Sequence, residues 1–394
     1  MIFQTFDDKD QCVLIYQDGQ FFNNQEALDL SSTWSYANYL CDNDIEYAQL
    51  WSQGSSLAAS CPSYLEAHLN EVEERLKAFI RSCNIAGVDL NDVCFYELVP
   101  ENFLREYANI KNEVSRHVFQ QFKRPDNYHQ LLKIVKVISD IKYQPLDLDL
   151  TKMNKAGIRD RNMFKTLSSC RRNIVYDPFK TITGRLATKS HTFPALTLAR
   201  EYRNVVKPAN DWLFELDFNA AELRTVLALL GETQPAEDLH EWNIKNIFSE
   251  GTTREEAKKK IFAWLYNPNN TEGDINALYN RDKIKELYFT GNEITTDFSR
   301  TIPCDEFHAT NYVIQSTAAD LLFEQMYDVW EFLRDKKSFI KFCNHDSIMI
   351  DFAEEDQQYI NEMKNIFSNT RYGKFKINCF AGKTWGAMKH LLVH

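Results

Sequence analysis

Two acids stand where a chain seldom leaves an acid alone. Residues 212–231, WLFELDFNAAELRTVLALLG, read as a buried strand ending at Asp217, then a helix carrying Glu222 and Arg224. Residues 338–352, SFIKFCNHDSIMIDF, read as a strand, a tight turn at His345 and Asp346, and a second strand. A buried, unpaired carboxylate is costly and needs a cation, a hydrogen-bond network or a metal. If these strands are neighbours, Asp217 and Asp346 project from one sheet edge. Two close carboxylates without a cation repel, and a divalent metal resolves that. Two metals on such a pair suit in-line phosphoryl transfer. On spacing alone, Asp346 serves equally well as a plain turn residue, a role Asp often fills.

A third segment adds cations. TTREEAKKKIFAWLYNPNN begins with Thr253 and Glu256, which form a capping box, and ends at Asn267 and Pro268. Arg254, Lys258, Phe262 and Tyr266 are spaced by four and share one slowly drifting helix face. The two cations lie near the positive helix N-terminus, where a triphosphate would sit. The two aromatics lie further along, where a sugar and base would stack. A surface helix that turns Phe and Tyr to the core has the same pattern.

These residues need a large scaffold. The chain has 394 residues, 44% of them hydrophobic, enough for two or three domains or one multi-lobed enzyme. Residues 1–60 are mixed, with a hairpin expected at Asp18 and Gly19 and a strand at IEYAQLW. Three helices follow over 61–145. The first is expected to start at a Ser63–Glu66 capping box, the second is stopped by Pro125, and the third starts after Asp126. Loops and short strands are expected in DPFKTITGRLATKSHTFPAL, then helices to about 290, a long helix over 311–333, and a closing helix and strand.

Net charge is −11, yet residues 152–207 hold thirteen basic residues and three acids, which favours a polyanion partner over a merely solvated face. No apolar run is long enough for a membrane span, and MIFQTFDDKD has no targeting signal, so a soluble cytoplasmic chain is expected. Nine widely spaced cysteines form no CxxC clip and read as reduced packing residues, without zinc or disulfides.

Taken together, the motifs resemble those of the family A DNA polymerases, the bacterial DNA polymerase I family. The R-x3-K-x3-F-x3-Y spacing is similar to that family's fingers helix, and TGRLAT, from Thr183 through Arg185 to Thr188, to its primer-contacting motif. LDFNAAELR resembles its first catalytic motif. The resemblance implies Asp217 and the Phe218 carbonyl as metal ligands, Glu222 as a gate against the sugar 2′-hydroxyl, and Arg224 at DNA. EDLHEWNIKNIF supplies His240 for the incoming phosphates, and NYVIQSTAAD supplies Asn311 and Gln315 for the minor groove. CNHDSIMID supplies His345 and the second ligand, Asp346. AGKTWGAMKH is similar to the family's C-terminal end. In two places the chain departs from the family: Ser347 stands where an acid usually follows Asp346, and Asn267 where a Gly usually follows the Tyr.

The resemblance implies an α+β fold shaped as a right hand. An antiparallel-sheet palm would come from 146–231 and 305–394, helical fingers from 232–304 and a helical thumb from 61–145. Residues 1–60 would complete the palm or dock a partner. The implied activity is DNA synthesis on a primer-template from dNTPs, with Lys258 assisting the leaving group. Two Mg²⁺ ions are implied, Mn²⁺ being a substitute. DDKD (Asp7 to Asp10) reads as solvated turn acids, so no proofreading exonuclease is expected. A compact monomer of bacteriophage type would take an exonuclease, helicase-primase and processivity factor from separate chains. The rival readings are a single-subunit RNA polymerase and an inactive DNA-binding protein on the same fold.

Overall fold

The computed structural model describes all residues except 7–12, 24–28, 91–92, 154–156, 249–250, 268, 271–272 and 392–394. DDKD, Lys155 and Pro268 therefore lie outside the described residues. The chain divides into two compact units, Met1–Asp140 and Ile141–His394.

In the first unit, β1 (Gln4–Thr5), β2 (Ile15–Gln17) and β3 (Gln20–Phe22) form an antiparallel sheet. The hairpin turns at Asp18 and Gly19, both with positive φ, as the Asp-Gly pair demands. Three helices follow: α1 (Glu66–Ile85), α2 (Glu101–Gln121) and α3 (Tyr128–Lys142). The leading residues do not form a separate segment ending at 60. Leu14, Trp34 and Ala48 share one core with Leu69 and Val72 of α1 and Phe103, Val114 and Val118 of α2. Tyr16 donates to Asn109 at 2.6 Å, and Gln4 to Asn112 at 3.1 Å.

Three local expectations fail here. Helix α1 starts at Glu66 behind Leu65, with no side-chain cap from Ser63. Only Glu46–Tyr47 of IEYAQLW is extended, and Ala48–Trp51 makes a helical turn that buries Ala48 and Leu50. Cys94 is disulfide-bonded, so the cysteines are not all reduced, while Cys41, Cys61, Cys83, Cys170, Cys304, Cys343 and Cys379 are free.

The second unit opens with α4 (Ile158–Ser169), a helix inside the basic block that its Thr- and Gly-rich neighbour conceals in sequence. Its sheet contains β4 (Trp212–Phe218), β5 (Phe339–Asn344), β6 (Ser347–Phe352), β7 (Ile377–Gly382) and β8 (Lys389–His390). The order is β5-β6-β4-β7-β8, antiparallel throughout, with Asp217 opposite both Ser347 and Asn378. Phe218 stacks on Phe367 at 4.5 Å, fastening β4 to α11 (Ile360–Ser368).

Between β4 and the long helix α10 (Glu306–Leu333) run α5 (Ala221–Leu229), α6 (Leu239–Asn246), α7 (Arg254–Tyr266), α8 (Gly273–Tyr279) and α9 (Arg281–Tyr288). They share a core of Leu223, Val226, Ile261, Trp264, Tyr279 and Ile284, closed by Val313 and Ile314 of α10. The fold is α+β. Among the described residues no helix is long and apolar enough to cross a membrane.

Candidate active site

The site forms where β4 leaves the sheet. Asp217 is the penultimate residue of the strand, before Phe218, whose backbone N–H donates to the Asp346 carbonyl at 3.2 Å. That bond ties the strand exit to the β5–β6 hairpin tip and brings the two acid-bearing turns together. Both turns are strained. His345 sits at φ 53° and Ala220, which starts α5, at φ 54°, a left-handed conformation that costs about 1–2 kcal/mol for a non-glycine residue.

Among the described residues, neither acid has a cationic side chain bonded to it. Asp217 accepts from Asn378 Nδ2 at 3.0 Å, and burial pushes its carboxyl up to about 7, with Glu215 and Asp346 adding repulsion and Lys258 opposing them. Burial also raises Asp346, aided by Glu222 and opposed by Arg185 and His345. A cavity of about 30 Å³ beside Asp346, lined by Arg185, Cys343 and His345, has room for a water-sized species. Two half-buried carboxyls held above their ordinary range are suited to a hard divalent cation, which would reverse the cost of ionising them. Among the described residues, no group of three or more His, Cys, Asp or Glu forms a metal cluster.

Helix α7 carries the cationic face. Its capping box forms as expected, with Thr253 N–H donating to Glu256 at 2.9 Å and Glu256 N–H to the Thr253 hydroxyl at 3.3 Å. Arg254 is already engaged, donating to Asp238 at 3.0 Å. Lys258 is exposed, makes no ion pair among the described residues, and lies 5.7 Å from the Phe262 ring centroid. Phe262 and Tyr266 stack at 5.8 Å with 7° between their planes. His240 on α6 is buried with Nδ1 unpartnered, and burial, then Arg254, lowers its pKa. Glu222, 6% exposed, accepts from both Arg185 and the Tyr266 hydroxyl, so the strand-exit helix, the TGR loop and α7 meet on one carboxylate.

The fold is that of a polymerase domain. The chain is similar to a solved structure described as the POL domain of Pol1 from M. smegmatis in complex with DNA primer-template and dNTP. The identity is 13%, the TM-score 0.62, and the match covers 87% of this chain and 82% of that one. No family model matches the sequence, and no curated protein matches it.

Two residues expected at DNA are buried. Arg224 is fully buried and donates to the carbonyls of Asn219, Pro235 and Glu237 at 2.8–2.9 Å, so it braces the strand exit and is not exposed to a ligand. Burial brings its guanidinium down to about 10. Thr183 is 5% exposed, in a loop that passes close to Arg300. Gly184 there has φ 78°, and a Cβ would fall 2.5 Å from the Arg300 guanidinium carbon, which explains the glycine. Arg300 is held in turn by Asp320 at 2.6 and 2.7 Å. Asn311 and Gln315 lie one turn apart on α10, joined at 2.9 Å and half-buried, and His345 is exposed.

Three site residues escape sequence reasoning. Asp238 caps α6 through the His240 and Glu241 N–H groups at 3.0 and 3.1 Å, and also accepts from Asn219 at 2.8 Å and from Arg254. The Asp-x-His spacing hints at this cap. Asn378 faces Asp217 only through sheet register. Glu215, two residues before Asp217, accepts from the Ser347 hydroxyl at 2.7 Å and is raised chiefly by burial. Lys165, Arg171, Arg172, Lys180 and Lys189 of the basic block are exposed, without ion pairs among the described residues.

Proposed function

We propose that this chain is a template-directed DNA polymerase of the family A kind, adding dNTPs to a primer 3′-hydroxyl. The observation that carries the reading is the 3.2 Å bond from Phe218 N–H to the Asp346 carbonyl, which joins two raised carboxyl groups at one strand exit. The unpaired Lys258, felt electrostatically by Asp217, supports it, as does the fold likeness. In this reading 146–231 and 305–394 are the palm, 232–304 the fingers and 61–145 the thumb.

Asp217, Asp346 and the Phe218 carbonyl would hold two magnesium ions, or manganese in their place. The ions would supply positive charge that acidifies the primer hydroxyl and neutralises charge growing on the phosphates. The chain's own residues do the rest. Lys258 meets the triphosphate, and Arg254 meets it while anchored by Asp238. His240, whose charged form is disfavoured by burial and then by Arg254, offers a hydrogen bond to the phosphates. Phe262 and Tyr266 give the sugar and base an aromatic wall. Glu222, immobilised by Arg185 and Tyr266, fills the space a 2′-hydroxyl would need. His345, Asn311 and Gln315 meet the primer-template, and the exposed basic block meets phosphates without reading sequence. The primer oxygen bonds to the α-phosphorus, the bridge to the β-phosphate breaks, and pyrophosphate leaves.

Primer extension on a DNA template with each nucleotide set tests this. Extension with dNTPs and magnesium is expected. Equal use of ribonucleotides would favour an RNA polymerase, and primer-template binding without extension an inactive DNA-binding protein. The narrower form of the proposal is synthesis with no proofreading step in this chain. A mismatched primer end incubated with magnesium alone should then stay intact, whereas release that survives Asp217→Asn would reveal a separate nuclease centre.

A further inference from the structure

A second cavity lies outside the residues given a role so far. It measures about 580 Å³ and is lined by Gln234, Pro235 and Ala236, by Asn361, Lys364, Asn365 and Ser368 of α11, and by Lys374 to Ile377. That volume falls within the range of roughly 300–1,000 Å³ typical of small-molecule sites. Its charged lining is all of one sign: Lys364, Lys374 and Lys376, none in an ion pair among the described residues, and no lining carboxylate. Asn361 and Asn365 add neutral amide donors, whereas Gln234 donates to the Arg224 carbonyl at 2.9 Å and the Ser368 hydroxyl to the Asn365 carbonyl at 3.2 Å. Unpaired ammonium groups converging with amides on one space suit an oxyanion carrying several charges.

The walls of this cavity are continuous with the site. Lys376 accepts the Asn219 backbone N–H at 3.0 Å, and Ile377 pairs with Phe218, so the lysine-bearing segment is bonded to the exit of β4. The opposite wall, 234–236, receives Arg224 and runs into Asp238, which holds Arg254. An anion in the cavity would thus lie one strand-end away from the acids and behind the segment that positions the phosphate-binding arginine.

We propose that this cavity binds a linear polyphosphate and receives the pyrophosphate released by the transfer step. The binding chemistry follows from the cavity, and only the origin of the ligand rests on the polymerase reading. Lys364 and Lys376 would compete with α7 for the departing group and draw it off Lys258.

Isothermal titration of sodium pyrophosphate into the full chain, in EDTA and without DNA, reads this directly. Lys364→Gln/Lys374→Gln/Lys376→Gln should weaken binding by about tenfold or more, equivalent to 1.4 kcal/mol, while Lys258→Gln changes it by less than about threefold. Each single Lys→Gln variant, checked for native circular dichroism, should weaken it part-way, so the result does not depend on the triple variant folding. Unchanged affinity in the lysine variants, or loss of binding in Lys258→Gln, would overturn the proposal. Parallel titrations with dATP and a single-stranded oligonucleotide separate the phosphate sources. Displacement of pyrophosphate by the oligonucleotide would overturn it in favour of template backbone. Because the titration needs no catalysis, a chain that extends no primer can still pass it, and an active polymerase can still fail it.

Discussion

The same sheet treats its acids in opposite ways at its two ends. At one end Asp351 is fully buried and fully matched: Lys341 lies 3.1 Å away, and the Ala209 and Asn210 N–H groups each donate at 2.8 Å. At the other end Asp217 has one amide donor, and Asp346 is left beside further acids with its pKa raised. The first arrangement holds the strands together. The second leaves its acids without a matching cation, and in the proposed polymerase reading that difference separates a structural acid from a functional one.

Breaking the matched end should have the largest effect on stability. Asp351→Ala leaves Lys341 buried and unpaired and should cost about 3–5 kcal/mol in denaturant unfolding. A loss below about 1 kcal/mol would erase the contrast.

Asp217→Asn should act in the opposite sense. Burial holds this carboxyl at about 7 against an ordinary 3.8. Between those values the folded chain keeps a proton that the unfolded chain has released, so metal-free stability falls as pH rises through that window. The variant removes this penalty. It should exceed wild type by about 1–2 kcal/mol at pH 8 in EDTA, after allowance for solvent, and match it near pH 4. A variant less stable than wild type at pH 8 would class Asp217 with Asp351.

Glu222 sharpens the comparison, because it is buried and partnered yet sits in the site. Glu222→Ala should lower the ratio of deoxy to ribo incorporation by more than about tenfold, or 1.4 kcal/mol of transition-state discrimination. A loss of stability with the ratio unchanged would make it another structural acid. The smallest effect is expected at Ser347. Ser347→Ala removes one hydrogen bond to Glu215, worth about 0.5–1.5 kcal/mol, and should slow extension less than about tenfold. A larger loss would give the Ser347–Glu215 pair a direct part in the chemistry.

What could be read in the sequence follows from what is local. A strand exit at Asp217, a turn at Asp346 and a four-residue spacing from Arg254 to Tyr266 are short-range patterns, and the structure keeps all three. Arg224 misled because motif resemblance says nothing about burial. Its donors are satisfied by carbonyls at 219, 235 and 237, which only the folded chain brings together. Glu215 and Ser347 meet diagonally across two strands, a matter of the β4–β6 register, which no short-range pattern sets. The leading residues show no lasting period in sequence, because their apolar side chains gain a core only against α1 and α2.

The most direct test of the unmatched acids is Asp346→Asn, assayed for primer-template affinity and single-turnover extension in the same magnesium buffer. The acids' role predicts affinity within about threefold of wild type and extension slower by on the order of a thousandfold or more, the loss of several kcal/mol of transition-state charge stabilisation. Extension at a rate comparable to wild type would contradict the assignment of Asp217 and Asp346 as the catalytic pair.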